Sequence, residues 1–515
     1  MKHTSVAIIA TTLLSTSYSQ LALTAGHGSQ KVIGQTSALI AEAGLPTVIG
    51  AGSSASDLKD GESANTNFPF AKFKAIATVG EVDATSGLAL TGYPDGQAAW
   101  LADNNTVRVV YQSESYATMG RAPQPETYPW KMSNGVTFTG SHIHTIDYDR
   151  EKFATFMGNN ESAKSMVKGS GKLFNTVYNG FGEIVSKPSH DPSQLAGKWG
   201  NQTRPDGTLV QFKSEFKLSQ ANYFFQSFCG AWYEQANQYG EGMGFADDVW
   251  LTAEEWEIGR MFPAGSSDSA ATLGLASVVV DIANETAYTA PALGQTGYEK
   301  LMPINPGHKD YVVIVAAGYN HGQEPAPNRI YVGMKNRAAD GSQINYATAS
   351  DRDAFLARNG LLYGKIYGLA LTPETYETLG LKIALDAKMV DDYMKNADAP
   401  NRFEGRFYPT SYQWAGFDQP VAVQDTEMML WEQKDEQPEG YVFFNGDTKT
   451  EHPAVDPSGA PRYFQNMTDE GGLMGFDLGD LGKALAAANG DLPTHLDVSV
   501  VRSVAAVDGA LTLNI

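Results

Sequence analysis

Cysteine is nearly absent from this sequence. The chain of 515 residues contains one, Cys229. A single thiol excludes an intrachain disulfide framework and any zinc site built on several thiolates. It suits an oxidising compartment, because the thiol has no partner with which to mispair in its own chain. The fold must therefore depend on its core, which a chain of this length can bury without covalent cross-links.

Positive charge is also scarce. The sequence has 37 lysines and arginines against 58 aspartates and glutamates, which gives a formal net charge of −21. Proteins that bind DNA or RNA need basic residues to neutralise phosphates, so this balance argues against a nucleic-acid partner. It fits an exported protein or one that attracts cations.

Long apolar runs are missing as well. After the N-terminus, no segment reaches the roughly 18 apolar residues of a membrane-spanning helix, which argues against an integral membrane protein. Lys2 precedes a short apolar run that continues through Leu14, and small residues lie near Ala25. This pattern predicts a secretory signal peptide over 1–25 rather than a buried helix, and hence a secreted or periplasmic protein. The absence of a twin-arginine pair favours the general secretory route.

Three common functional motifs do not occur in the sequence. It contains no Gly-rich P-loop, no dinucleotide-binding fingerprint and no Gly-x-Ser-x-Gly serine-nucleophile pattern. The candidate chemistry must therefore come from other residues.

Short β-like runs fill most of the chain from residue 68 onward. They are rich in β-branched and aromatic residues and are bounded by Gly, Pro, Asn or Asp. The clearest predicted strands are 75–79, 106–111, 277–281, 311–315, 329–332, 440–444 and 496–500. Helical patterns are fewer, and the better ones lie at 351–358, 372–379, 387–396 and 478–488.

This pattern predicts an all-β fold with a few short helices in its loops. Many short strands favour a closed architecture such as a β-propeller, which would span 68–515 as a single domain. A flexible lead-in rich in Gly, Ala and Ser would precede it over 26–67. No clean repeat of about 40 to 50 residues defines blades, and a pair of β-sandwich domains is the alternative.

The most informative stretch for chemistry runs from 228 to 260. It contains Cys229 and, after an apolar run, the adjacent pair Glu254 and Glu255. On a continuing strand, adjacent carboxylates point to opposite faces, so one can enter a site while the other holds a supporting partner. Carboxylates suit calcium, and a thiolate suits iron or zinc. The alternatives are a small buried hydrophobe for Cys229 and a solvated turn for the two acids.

Three further acids lie in turns or at strand ends. Glu299 is on a loop before the apolar strand at 311–315, Glu114 ends the strand that begins at Thr106, and Asp95 is in a Pro-Asp-Gly turn.

One pair of histidines is also a metal-ligand candidate. His142 and His144 share one face of an extended segment and could bind a transition metal, but exposed strand residues are the preferred interpretation.

These pieces, taken in their order along the chain, resemble a known family. The order is Pro94-Asp95-Gly96, a strand ending in Glu114, Cys229, Trp250 to Glu255, Leu293-Gly294 followed by Glu299, an apolar strand, Arg329 to Lys335, and Gly360 to Gly364. This order is similar to that of the PhoX-type secreted alkaline phosphatases, over about residues 68 to 450. Each motif is short, and it is their order that is specific.

The resemblance implies a six-bladed β-propeller whose central channel holds iron and calcium ions. It implies that Cys229 supplies a thiolate to iron, and that Glu254 or Glu255, together with Glu299, bind iron or calcium. Glu114, which matches the glutamate of a family Asn-His-Glu motif, and Asp95 are further candidate ligands. Catalytic residues are not assigned.

The implied function is metal-dependent hydrolysis of small phosphate monoesters. Clustered cations would neutralise the phosphate and allow an acidic protein to bind an anion. Because Gln112 and Ser113 replace the Asn-His of the family motif, one alternative is a non-catalytic secreted propeller that binds a partner or a surface polymer. Another is a propeller enzyme of a different class, such as a polysaccharide lyase with a His or Tyr acid and base. The sequence leaves the oligomeric state open.

Overall fold

The computed structural model describes most of the chain between residues 93 and 504. The described residues are 76–77, 93–114, 130–135, 137–138, 141–159, 161, 163–178, 182, 184, 228–255, 277–294, 297–318, 326–384, 388–412, 414, 416–417, 437–446, 449–468 and 471–504. The predicted signal peptide at 1–25, the lead-in at 26–67 and most of the predicted strand at 75–79 lie outside them.

Strands dominate the described residues. They are β1 (Tyr93–Asp103), β2 (Thr106–Glu114), β3 (Trp130–Lys131), β4 (Thr137–Phe138), β5 (His142–Asp149), β6 (Val167–Lys172), β7 (Thr176–Tyr178), β8 (Phe228–Glu234), β9 (Val249–Glu254), β10 (Ser277–Asp281), β11 (Thr286–Thr289), β12 (Tyr298–Ile304), β13 (Tyr311–Gly318), β14 (Ala326–Pro327), β15 (Arg329–Met334), β16 (Gly364–Leu371), β17 (Arg402–Pro409), β18 (Val442–Phe443), β19 (Asn445–Gly446), β20 (Thr450–Val455), β21 (Arg462–Met467), β22 (Gly472–Asp477) and β23 (Leu496–Val504).

The helices are short. The α-helices are α1 (Arg150–Thr155), α2 (Asp351–Arg358), α3 (Pro373–Thr378), α4 (Met389–Lys395) and α5 (Leu481–Ala487), and 3-10 turns occupy Phe156–Gly158, Ala163–Met166 and Pro291–Leu293. Within the described ranges, no helix has both the length and the apolar character needed to cross a membrane.

Strands β1, β2, β5 and β6 form the first sheet, which is antiparallel and has β1 at its edge. A buried ion pair joins its two central strands. Arg108 donates from Nε and Nη2 to the two carboxylate oxygens of Asp147, at 2.7 and 2.8 Å. Removing either partner would leave a buried charge without its counter-ion, so this bidentate pair helps to fix the register.

The second sheet has the order β7-β11-β10-β9-β8, with β8 at its edge. Only the pairing of β7 with β11 is parallel. Every residue of β9, β10 and β11 is buried. A sheet covered on both faces needs continuous apolar runs rather than alternation, which explains sequences such as Ser277-Val-Val-Val-Asp281.

Ten strands form the third sheet. Its path runs β12-β13-β15-β16-β17-β23-β22-β21-β20, and β18 adds to β16. The two ends of this path approach each other, because Thr450 in β20 exchanges hydrogen bonds with the backbone of Gly318 in β13. The sheet is therefore nearly closed and barrel-like. Two ribbons, β3 with β4 and β14 with β19, complete the described pairings.

Neighbouring sheets share apolar cores. The first and second sheets meet at Val110, Ile143, Trp250 and Val278. The second and third meet at Leu251, Val279, Leu301 and Ile314. The core inside the third sheet includes Val313, Val332, Leu369 and Phe476. This packing brings the edge strands β1, β8 and β12 of the three sheets together.

The predicted fold class, all-β with a few short helices, is confirmed. The predicted strand at 277–281 and helix at 351–358 have the observed bounds of β10 and α2. Thr372 caps α3 by accepting a hydrogen bond from the Thr375 backbone N–H, and Pro373 is the first helical residue. The described strands form five sheets rather than six four-stranded blades, so the β-propeller and its number of blades stay predictions.

Glu234, in β8, is a fully buried acid. The Trp232 indole N–H donates to Glu234 Oε2 at 2.6 Å. Burial raises the pKa of Glu234 to about 8, against the opposing effect of hydrogen bonds from Trp232 and Tyr239. The carboxyl group is therefore mostly protonated at neutral pH.

We expect Glu234 to make the free energy of unfolding fall as pH rises. The pKa of Glu234 is raised in the folded state, whereas in the unfolded state the same carboxyl group loses its proton at about pH 4.3. The free energy of unfolding therefore falls as the pH rises from about 4.3 to about 8. As the pH rises from 5 to 9, the free energy of unfolding of Glu234→Gln should increase by about 2–4 kcal/mol relative to that of the wild type, as measured by urea unfolding. Exposed Glu241→Gln is the control. Parallel pH profiles for the wild type and Glu234→Gln would contradict the prediction.

Candidate metal centre

Four strands deliver side chains to one place in the molecule. Asp95 is on β1, Cys229 on β8, Glu299 on β12 and His452 on β20. Each of these strands lies at an end of its sheet, so one of its sides has no paired strand among the described residues. The cluster therefore forms where three sheets meet.

Every one of these strands carries a β-bulge at the residue that it contributes. The bulges lie between Pro94 and Gln97, between Phe228 and Ala231, between Tyr298 and Lys300, and between Glu451 and Ala454. In each case the contributing strand has one residue more than its partner. A bulge interrupts the alternation of the pleat and re-aims the side chain of the extra residue. His452 also has a positive φ of 40°, a conformation uncommon outside glycine.

Two glycines allow these strands to approach closely. A Cβ at Gly96 would lie 2.4 Å from the Cβ of Ala231, and one at Gly230 would lie 2.6 Å from the carbonyl oxygen of Glu299. Both distances are shorter than any normal contact. Glycine is therefore required next to Asp95 and next to Cys229, because a side chain would separate β8 from β1 and from β12.

Cys229 and two glutamates form the buried part of the cluster. The Cys229 thiol and one carboxylate oxygen each from Glu255 and Glu299 lie within 4.8 Å of one another, and all three residues are buried. The thiol donates to Asp95 Oδ2 at 2.8 Å. Asp95, Glu299 and His452 form a second group within the same distance limit, at the more exposed side.

Glu299 is the most constrained of these groups. It is 1% exposed, and its carboxylate interacts with the Cys229 thiol and with His452 Nε2, which lies 3.5 Å from Oε1. Burial raises the pKa of Glu299 to about 9, the negative charges of Glu255, Asp95 and Glu451 add to this effect, and the nearby Cys229 thiol opposes it. A buried acid that is surrounded by other acids is stabilised either by a proton or by a cation.

Lys449 and His452 form a basic rim beside the cluster. Lys449 Nζ is 3.6 Å from Glu255 Oε1 and forms an ion pair with Glu451. His452 Nε2 is 3.5 Å from Glu299 Oε1, and its side chain is 55% exposed. Burial opposes a charge on Lys449, but the contact with Glu451 and the charges of Glu255 and Glu299 raise the pKa of its ammonium group. Lys449 is therefore a permanent cation at this site.

Thr450 holds this rim in place. Its hydroxyl accepts from the Gly318 N–H at 2.7 Å and donates to the Gly318 carbonyl at 2.8 Å. Gly318 pairs with Tyr298, the residue before Glu299. The positions of Lys449 and His452 relative to Glu299 therefore depend on one threonine.

The predicted ligands are not all brought together. Cys229, Glu255, Glu299 and Asp95 converge. Glu254 is buried at the end of β9 and, in the described part of the chain, belongs to neither group of converging ligands. The backbone of Glu114 pairs with that of Tyr93 in β1, and its side chain is not among those described.

Gln112 has a structural role that its motif position did not indicate. Its Nε2 donates to the Cys229 carbonyl at 2.6 Å, and its Oε1 accepts from the Trp250 indole N–H at 2.8 Å. Gln112 therefore fixes the backbone that carries the thiol. His144, expected to be exposed, is completely buried, and that expectation was wrong. The side chain of His142 lies outside the description.

Lys449, Glu451 and His452 were not predicted as site residues. They are about 150 residues from Glu299 along the chain, and no local pattern joins them to it. The available signal was a charged segment, Lys-Thr-Glu-His, shortly after the predicted strand at 440–444.

Comparisons with known proteins give one structural match. No protein-family model matches the chain, and no curated protein matches it. The chain is similar to the solved structure of Pseudomonas fluorescens PhoX in complex with vanadate, a transition state analogue. The identity is 12% and the TM-score 0.41, with 90% of this chain and 72% of that chain covered. The named protein is of the type that the sequence motifs resemble, but similarity at this level transfers neither a site nor an activity.

Gly230→Ala should disturb the cluster through the backbone. The added Cβ meets the Glu299 carbonyl, which cannot move without shifting β12, so we expect about 1–3 kcal/mol of destabilisation and weaker metal binding. Urea unfolding and metal titration measure the two effects. Gly158→Ala is the control, because nothing lies within 4 Å of its Cβ position. Equal stability and metal affinity in both variants would show that β8 and β12 need no close approach.

Thr450→Val should destabilise the protein and loosen the attachment of the rim, Lys449 and His452, to β13. It removes both hydrogen bonds to Gly318 while keeping the side-chain volume, at an expected cost of about 1–3 kcal/mol. Thr450→Ser keeps the hydroxyl and should lose less. Thermal unfolding compares the three proteins. A valine variant as stable as the serine variant would mean that the hydroxyl does not hold the rim.

Proposed function

We propose that this protein is an exported, metal-dependent phosphatase-like hydrolase that acts on small phosphate monoesters. The observation that supports it best is the convergence of Cys229, Glu255 and Glu299, with the Glu299 carboxylate buried close to other acids. The site lies where edge strands of three sheets meet, which is how the inner strands of propeller blades surround a channel. We extend the proposal to a propeller of six blades over 68–515.

The side chains present fit a transition-metal ion. A thiolate with two carboxylates is a donor set suited to iron or zinc, and His452 adds an imidazole within reach of Glu299. We propose iron, held by Cys229, Glu255 and Glu299, with Asp95 and His452 at the open side. Calcium takes oxygen ligands, so any calcium would depend on the carboxylates alone. Glu254 and Glu114 stay candidates for supporting roles.

The residues around the cluster define how a substrate would enter. Cys229, Glu255 and Glu299 are buried, whereas His452 is more than half exposed, so the cluster opens on the His452 side. When bound, the ion would supply a Lewis acid and an activated oxygen nucleophile for phosphoryl transfer to water. The buried walls exclude water on the other sides, which strengthens the electrostatic interactions with the phosphate. His452, at the open side, is placed to donate a hydrogen bond to the ester.

A non-catalytic secreted binding protein is the second candidate. Gln112 and Ser113 are fully buried, and the hydrogen bonds of Gln112 stabilise the fold. Both residues replace members of the family motif, so side chains that the resemblance implies are missing here. Metal binding without hydrolysis would favour this candidate.

Removal of a ligand should abolish both metal binding and hydrolysis. We expect Cys229→Ser and Glu299→Gln to bind iron at least about 100-fold more weakly and to lose turnover of a generic phosphomonoester such as p-nitrophenyl phosphate. Elemental analysis and activity assays on the protein from its native compartment provide the measurements. A thiolate-to-metal absorption band, present in the wild type and lost in Cys229→Ser, would identify the thiolate as a ligand.

Exposed Glu241→Gln should keep full metal content and activity. A wild-type protein that contains no metal and does not hydrolyse the ester would overturn the proposal. Iron with no turnover would keep the metal site and replace the hydrolase by the second candidate.

A further inference from the structure

A small polar pocket lies where the two ends of the third sheet approach each other. Its lining includes Gly318 at the end of β13 and Thr450 at the start of β20, which exchange two hydrogen bonds. Asn328, Arg329 and Gln465 supply the other polar side chains, and the rest of the lining is small apolar residues and glycine. The pocket therefore combines two neutral amides, one hydroxyl and one guanidinium.

One amide atom of Asn328 is available for a ligand in this pocket. The residue is 6% exposed, and its Nδ2 donates to Gln465 Oε1 at 2.9 Å. Within the described part of the chain, Asn328 Oδ1 has no hydrogen-bond partner. A buried amide oxygen without a donor costs free energy that folded proteins normally avoid. A ligand group that hydrogen-bonds to Asn328 would recover that free energy.

The size of the pocket limits what can bind there. The cavity has a volume of about 20 Å³, which is enough for a group the size of one water molecule. A phosphate or carboxylate group is larger than this, although the charge of Arg329 would attract either. A hydroxyl group fits. Because a hydroxyl both donates and accepts, it can donate to Asn328 Oδ1 and accept from a neighbouring N–H.

The pocket is adjacent to the metal cluster along two strands. On β20, Thr450 lines the pocket and His452, two residues further on, belongs to the more exposed group of the cluster. At about 3.3 Å per residue, these two positions are about 7 Å apart along the strand. On β13, Gly318 pairs with Tyr298, the residue before Glu299. A short polyol phosphate spans a comparable distance between its phosphorus atom and its terminal hydroxyl.

We propose that this pocket binds a hydroxyl group of the leaving alcohol, so that the protein prefers phosphate esters of polyols or sugars to those of simple alkyl alcohols. The inference rests on the proposed function and names the class of its substrate. Asn328 is the residue that determines this specificity, and Gln465 fixes its orientation. An ester without the hydroxyl leaves the buried amide unpaired, and sites of this kind discriminate strongly against the analogue that lacks the group.

The test compares glycerol phosphate with propyl phosphate, which lacks the hydroxyl groups of glycerol. For the metal-loaded wild type, we expect kcat/KM to be at least about tenfold higher for glycerol phosphate. Asn328→Leu keeps a similar size and removes the hydrogen-bonding atoms, so this ratio should fall at least about fivefold. Asn466→Leu is the matched control, because this amide lies on the same strand as Gln465 but bonds to Thr468, outside the pocket. It should keep the wild-type ratio.

A second variant tests the cavity rather than the amide. Ala326 lines the pocket, and Ala326→Val would fill the space while every polar group stays in place. The preference for glycerol phosphate should fall as it does in Asn328→Leu. Metal content should stay that of the wild type in both variants, because neither residue belongs to the cluster.

The outcomes separate this inference from the proposed function. Hydrolysis of neither ester by the wild type contradicts both. Equal kcat/KM for the two esters contradicts only this inference, and the pocket then holds water alone. A preference that survives in either folded variant also overturns it, because the discrimination would then come from elsewhere. If neither variant folds, the wild-type ratio decides.

Discussion

Four β-bulges are the constraint on which the candidate centre depends. A regular strand alternates its side chains between two faces, and each strand here that borders the cluster also supplies the core. Without interruption, a strand could not turn an additional residue toward a neighbouring sheet. The extra residue in each of β1, β8, β12 and β20 lets that strand turn one side chain toward the cluster. Bulges that gather at one site are typical of functional regions, where a side chain must be re-aimed.

The bulge in β12 shows how the core and the cluster share one strand. Tyr298 packs in the apolar core and donates its hydroxyl to the Leu293 carbonyl, while the next residue, Glu299, belongs to the acidic cluster. A register slip of one residue would place the carboxylate in the core and the phenol in the cluster. The double hydrogen bond between Thr450 and Gly318, the pairing partner of Tyr298, opposes that slip and fixes the rim at the same time.

Sequence reasoning predicted local features better than long-range ones. The strand at 277–281, the helix at 351–358 and the cap at Thr372 follow from composition and capping, which act over a few residues. Motif order selected Cys229 and Glu299 as candidate ligands. It left Glu254 and Glu255 undecided, because Glu255 lies just after β9 ends and alternation no longer applies there. The ten-stranded sheet and the rim of Lys449 and His452 depend on pairings between distant segments, which no local pattern contains.

The acidity of the chain has a specific meaning at this centre. The chain has a net charge of −21, and the carboxyl groups of Glu255 and Glu299 are removed from water. Buried acids at such short distances repel one another, so their arrangement costs free energy unless protons or cations neutralise them. The Lys449 ammonium supplies one positive charge beside Glu255, and a cation bound at Glu299 and Cys229 would relieve the remaining repulsion.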